Sequence, residues 1–334
     1  MANRPFTQGV QDLGNGIYGY IQPDGTWGWS NAGLVVSQGQ TLLVDTLMSR
    51  SLTRIMLEDF AKVDGGARID RLVNTHANPD HFVGNGLVEG AEIIMTTETA
   101  REMGEFDPVR FASLVDNWQA MGDAGAFLYE TMGRKFDWTD LEPLPQPDRT
   151  FERALTLEVG DKAVELIDLG PAHTGSDTIA WVPEDRVVFT GDLLFNEGHP
   201  IMWDGPVENW IAACERIIAL KPEIVVPGHG PITDTTAVAG MADYFTYVSE
   251  QTRQRLDAGM GWKDAARDID MRRYAHWTDP ERIVANVFAL YRQWGGPIAP
   301  EDGRDLFGEM GRYARETAAH GETCNHGEGC GHAH

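Results

Sequence analysis

At 334 residues and 42% hydrophobic content the chain can bury a large core, and no apolar run reaches the roughly 18 residues that cross a bilayer. The formal net charge of -24 and sequence pI near 4.7 describe a surface that repels phosphate backbones, which argues against a nucleic-acid partner. Cys214 sits alone in an apolar stretch and Cys324 and Cys330 lie near the end, so no disulfide framework is expected; the opening MANRPFTQGV has no basic segment leading into an apolar one, and a reducing cytoplasm is the expected setting.

Along the chain, short apolar runs bounded by turn residues predict strands over 16–21, 32–36, 41–45, 70–74 and 92–95, with a helix over 49–63. Residues 97–149 interrupt this pattern with Met, Phe and Trp in a mostly helical segment, which serves either as an extra packed layer or as a cap over a site. A second set of strands is predicted over 155–159, 163–169, 178–182, 186–190 and 223–227, with helices over 207–220, 237–258 and 280–293. Strands in meanders with helices between them, rather than strict βαβ alternation, predict an α/β fold of two mixed sheets covered by helices. The expected division is one catalytic domain over 1–318, with a helical extension over about 237–318, and a flexible His/Cys-rich tail over 319–334.

The chemistry concentrates where strands end. Asn74-Thr75-His76-Ala77-Asn78-Pro79-Asp80-His81 follows the apolar pair Leu72-Val73. A tight turn there splays alternate side chains to one side, and Pro79 suits the first turn of a new helix, where its missing N–H is harmless. Three later strands also deliver a His or Asp into a glycine-containing loop: Gly170-Pro171-Ala172-His173, Thr190-Gly191-Asp192 and Pro227-Gly228-His229-Gly230. Any one histidine is more often a hydrogen-bonded structural residue, but the set is the donor chemistry that divalent ions require, at about 2.0–2.2 Å.

In this order the motifs resemble the metallo-β-lactamase-fold hydrolase superfamily from about Gly16 to Pro231, and Leu42-Leu43-Val44-Asp45 is similar to the family's early strand and supporting aspartate. The resemblance implies a four-layer αβ/βα sandwich with metal at the edge between the sheets. It places one ion on His76, position 78 and His173 and a second on Asp80, His81 and His229, with Asp192 bridging. One or two divalent ions per chain are implied, zinc first, with iron or manganese as alternatives. The departure is Asn78, where the common pattern has an imidazole; the Thr-His-Ala-Asn-x-Asp-His turn is similar to a variant found in some members. Three outcomes stay open: a weak or empty first site, ligation through the amide oxygen with a shift toward iron or manganese, or an Asn78 that orients water or substrate.

The implied activity is hydrolysis of an ester, lactone, thioester or amide-like bond of a small molecule by metal-bound hydroxide, with Asp80 orienting the nucleophile or relaying its proton. The alternatives are an iron- or manganese-dependent oxidoreductase on the same fold and a metal-binding protein without catalysis. No Ser or Cys nucleophile motif is evident. Trp27 and Trp29 flank a glycine-rich hairpin and either form an aromatic wall for substrate or pack the hairpin onto the sheet; Trp203 is placed in the same pocket, His199 either joins it there or is an exposed loop histidine, and His276 reads as structural. The tail residues His320, Cys324, His326, Cys330, His332 and His334 either capture metal or form a solvated terminus. A small-molecule partner is expected, with no nucleic acid or membrane, and a homodimer is allowed.

Overall fold

A computed structural model describes residues 5–325, with side chains through 318. Its first sheet has seven strands in sequence order: β1 (Gly9–Gly14), β2 (Ile17–Ile21), β3 (Ala32–Ser37), β4 (Gln40–Val44), β5 (Arg71–Val73), β6 (Glu92–Thr96) and β7 (Arg149–Phe151). The pairs from β1 to β4 are antiparallel and those from β4 to β7 parallel. The second sheet has the order β12 (Ile224–Val226), β11 (Val187–Phe189), β10 (Thr178–Val182), β9 (Lys162–Asp168), β8 (Ala154–Val159), parallel only between β11 and β12.

Period-two alternation explains how the layers stack. In β4, Leu42 and Val44 face the second sheet, while Leu43 faces α1 (Arg50–Phe60) and the short α2 (Pro79–Phe82) with Met56, Phe60 and Phe82. In β10, Ala180 and Val182 meet the first sheet, while Ile179 and Trp181 face α6 (Val207–Leu220), α7 (Thr235–Asp257) and α9 (Arg282–Gln293). Both sheets are therefore buried on two faces, and the expected αβ/βα sandwich is what the chain forms. Ser49 caps α1 by accepting the Leu52 N–H, and Lys221 ends α6 in the left-handed conformation.

Between β6 and β7 lie α3 (Thr97–Met103), α4 (Pro108–Asp116) and α5 (Gly122–Leu128). Arg149, expected as the last residue of this insertion, instead opens β7, which pairs in parallel with β6. The edge strand β1 was also outside the expected set, because its half-exposed GVQDLG carries little apolar pattern. After α7 come α8 (Trp262–Asp268), α9 and α10 (Leu306–Asn325), so the helical extension continues past the expected boundary at 318. The side chains of His320 and Cys324, together with His326, Cys330, His332 and His334, lie outside the described residues. Among the described residues no helix is long and apolar enough to cross a membrane.

Trp210 of α6 is fully buried against Phe245, with ring centroids 4.4 Å apart, and its indole N–H donates to the Leu193 carbonyl at 3.0 Å, next to Asp192. Trp210→Ala is expected to cost about 3–5 kcal/mol of stability, read as a fall in the urea midpoint; a loss below about 1 kcal/mol, the size of a surface effect, would show that α6 does not anchor this loop.

Candidate metal centre

Four imidazoles and two carboxylates converge at the strand ends facing one edge of the sandwich. His76, Asp80 and His81 come from the turn after β5 and from α2, where Pro79 occupies the first helical turn. His173 follows β9, Asp192 follows β11, and His229 follows β12. Asp192 is at the middle. One oxygen lies 3.1 Å from His81 Nε2, and the other lies 3.3 Å from His173 Nε2, 3.4 Å from His229 Nε2 and 3.7 Å from His76 Nε2. The Asp80 carboxylate is 3.2 Å from His229 Nε2 and 3.9 Å from His81 Nε2.

Each ring is turned so that Nε2 faces this centre, because an acceptor holds Nδ1 on the far side. His81 Nδ1 is 2.9 Å from the Asp45 carboxylate, His173 Nδ1 is 2.6 Å from the Ile201 carbonyl, and His229 Nδ1 is 3.1 Å from the Gly25 carbonyl. His76 Nδ1 is 3.0 Å from the Thr75 hydroxyl, which itself donates to Asp45 at 2.7 Å. Asp45, with φ +64° at the end of β4, also accepts the Thr75 N–H at 2.7 Å. It thereby orients two rings at once, the kind of support that fixes imidazole donors in metal sites. The His173 loop is tied by Asp177, which accepts the N–H groups of Ala172 and Thr174 at 3.0 and 3.2 Å.

Two glycines make room. Gly191 adopts φ +50°, and a Cβ there would lie 2.6 Å from the Thr75 hydroxyl; a Cβ on Gly228 would lie 2.0 Å from an Asp192 oxygen. The loop glycines adjoining Asp192 and His229 are thus steric requirements of the centre.

The donor set fits a divalent cation. His76, His81 and Asp192 form one compact group and Asp80, His81 and His229 another, the donor atoms of each within 4.8 Å of one another. His76 Nε2, His81 Nε2 and one Asp192 oxygen are buried without any hydrogen-bond partner, an arrangement that a folded chain rarely tolerates unless something else satisfies it. Burial pushes the His81 and His229 rings down, but the Asp192 carboxylate and its neighbours outweigh this and hold His81 well above its ordinary value and His229 at about 9. Burial likewise pushes Asp192 up, and His229, His81 and His76 more than reverse it. The buried carboxylates thus draw positive charge to the place where a cation would supply it. Burial alone dominates at His76, held well below the ordinary range, and at His173, lowered to about 4.

The other expected residues separate. A cavity of about 240 Å³ opens above the centre, with Asn78, Asp80, Asp192 and His229 at its base and Trp27, Phe106, Phe111, Trp203 and Phe307 among its walls. Trp27 and Trp203 are therefore where an aromatic wall requires them. Trp29 is not: it packs on Phe136 at 4.9 Å, outside the lining. His199 is also not in the cavity. The backbone there turns toward Thr278, and the ring is fully buried between the Tyr244 hydroxyl and the Tyr274 carbonyl, each at 3.1 Å. Sequence reasoning missed the α9 residues Glu281 and Arg282. Glu281 accepts the Trp27 indole N–H at 2.7 Å, and the Arg282 guanidinium lies 4.5 Å from the Trp27 ring. Their only signal was a charged pair at the start of an otherwise apolar helix.

The sequence model of the metallo-beta-lactamase superfamily matches residues 25–229, a span that contains all six His and Asp donors. The metallo-beta-lactamase type 2 of Bacteroides fragilis is 22% identical over 243 residues, covering 69% of this chain and 82% of its own length. A hydroxyacylglutathione hydrolase of Erythrobacter litoralis is 27% identical over 169 residues, 48% of this chain and 64% of its own. Among solved structures, a metallo-beta-lactamase from Pontibacter korlensis superposes with TM-score 0.53 at 19% identity over 72% of this chain and 99% of its own. A double mutant of the sec-alkyl sulfatase PisA1 gives TM-score 0.68 at 15% identity over 87% of this chain and 51% of its own. At these identities the structural likeness speaks for the fold.

Two outcomes test this geometry. Gly228→Ala should weaken divalent-ion affinity at least about tenfold, as loss of a supporting group does, measured by competition with a chelator; unchanged affinity would mean that Asp192 is not held against this glycine. Burial also lowers His199 to about 3, below an unperturbed value near 6.5. The unfolded chain therefore takes up this proton first, and the stability from neutral His199, complete above about pH 6.5, declines toward pH 3 by about 1.4 kcal/mol per unit. Urea unfolding between about pH 5.5 and 4 should show a pH slope about one proton steeper than in His199→Gln; equal slopes would refute it.

With the matched span, the two-sheet fold and the convergent donors in agreement, the chain belongs to the metallo-beta-lactamase superfamily.

Proposed function

We propose that the protein is a metal-dependent hydrolase that cleaves an ester, lactone, thioester or amide-like bond of an uncharged, apolar small molecule. The observation that carries this is the juxtaposition of a buried His/Asp centre with an aromatic cavity directly above it. His76, Asp80, His81, Asp192 and His229 would hold the ion, for which zinc suits the nitrogen-rich donor set. Such an ion, when bound, lowers the pKa of water from 15.7 toward about 7 and polarises a carbonyl oxygen.

The chain's own residues supply the rest. Asp80 lines the cavity at its base, where its carboxylate can orient a water molecule and accept its proton. Trp27, Phe106, Phe111, Trp203 and Phe307 exclude bulk water and offer area to an acyl or aryl group. Among the described lining residues Arg282 is the one Lys or Arg, and it is already engaged: it pairs with Asp279 at 2.9 Å and donates to the His199 carbonyl at 2.9 Å. No free positive side chain therefore awaits a substrate carboxylate, which favours neutral substrates. Family relatives include a hydroxyacylglutathione hydrolase and a metallo-beta-lactamase, consistent with hydrolysis at a carbonyl.

The zinc-supplemented protein should hydrolyse at least one member of a panel of p-nitrophenyl acyl esters, acyl lactones and acyl thioesters, with kcat/KM rising with acyl length. His81→Ala should lower it more than about 100-fold, beyond the effect of a mere supporting residue. A metal-loaded, folded protein inert toward the whole panel would defeat the proposal, as would a His81→Ala variant of undiminished activity.

A further inference from the structure

Asn78 replaces the imidazole that a two-ion centre of this kind would place at that position, and its side chain has an unexpected partner. Asparagine is among the best helix N-caps, and Asn78 stands at the N-cap of α2, yet its side chain makes no capping bond. Its amide nitrogen lies 2.8 Å from His173 Nε2 instead. The hydrogen positions follow from the neighbours. Nδ1 of His173 faces the Ile201 carbonyl, which can only accept, so Nδ1 carries the hydrogen and Nε2 keeps the lone pair. A lone pair needs a donor, and this sets the amide with its nitrogen toward the ring. The electron pair with which His173 would bind metal is thus engaged by Asn78.

The remaining donors point the same way from independent geometry. The two compact groups, His76 with His81 and Asp192, and Asp80 with His81 and His229, have His81 in common, and His173 belongs to neither. Because His81 Nδ1 is committed to Asp45, its Nε2 holds the one lone pair this ring can offer. One lone pair serves one ion, so the two groups cannot both be filled at once, and a second ion would have to rest on His76, Asp192 and the His173 lone pair that Asn78 occupies.

We infer that the chain takes a single divalent ion, on the donors gathered about His81 Nε2, and that the Asn78–His173 hydrogen bond closes the first position of a two-ion centre. This rests on the metal-centre reading under Proposed function. It turns the amide oxygen of Asn78 away from a ligand role, and with it goes the extra oxygen donor that would shift preference toward iron or manganese.

The test counts zinc per chain after equilibrium dialysis against micromolar zinc. The full-length chain is used with His320→Ala, Cys324→Ser, His326→Ala, Cys330→Ser, His332→Ala and His334→Ala, so that the tail contributes no ligands. One zinc is expected in this parent and two when Asn78→His is added. Two zincs in the parent would overturn the single-ion inference and leave the metal centre standing, whereas none would overturn the metal centre itself. One zinc in both proteins would overturn the role given to Asn78. Should Asn78→His fail to fold, His173→Ala in the parent gives the second readout: a folded variant keeps its one zinc, and loss of that zinc makes His173 a ligand and overturns the inference.

Discussion

A carboxylate with almost no contact with solvent is the constraint around which the molecule is organised. Asp192 is 3% exposed, and an unaccompanied charge at that depth would cost several kcal/mol. The fold answers by bringing His81 and His229 to it as charged partners, with the His76 and His173 rings beside them, from three other loops. None of these rings is free to turn, because Asp45, Thr75, Ile201 and Gly25 hold their far sides. The sheets are the rigid frame for this: β5, β11 and β12 end at a common edge, each on buried residues from which its loop begins. A site built so has little freedom to rearrange, which is what electrostatic preorganisation demands of a catalytic centre.

The wall above it has a different origin. The donors all arise between residues 76 and 229, from loops of the sandwich itself. The wall is assembled from the hairpin near the N-terminus, the insertion before β7, the loop between β11 and α6, and the C-terminal helices, with Trp27 of the hairpin in contact with the other three. Its ring lies 5.7 Å from Phe127, 6.4 Å from Trp203 and 6.1 Å from Phe307. The polar base of the cavity thus comes from short loops at strand ends, and most of its apolar wall from segments remote from them in sequence.

This division explains what the sequence made legible. The β4, β10 and β11 runs and the His and Asp residues that follow strands carry their information locally, in alternation and in glycine-flanked turns, so the layers and the His and Asp residues that converge could be picked out in advance. The three-residue β7 could not, since it exists only because β6 offers a parallel edge. Phe106, Phe111 and Phe307 look in sequence like any core residue; their common cavity is a tertiary fact. His199 and Trp203 are four positions apart and part company because the backbone at 198–199 is drawn to Thr278. The partner of Asn78 was likewise out of reach, as it is supplied by a loop far along the chain.

The bond from the Trp27 indole to Glu281 has a further bearing on how such a chain can diversify. It ties the hairpin to α9, so the pocket's ceiling is a keyed joint between the two ends of the polypeptide, while the reactive floor belongs to the segment between them. Changes in the hairpin or in α9 would reshape the cavity from above while leaving the His and Asp residues at its base in place.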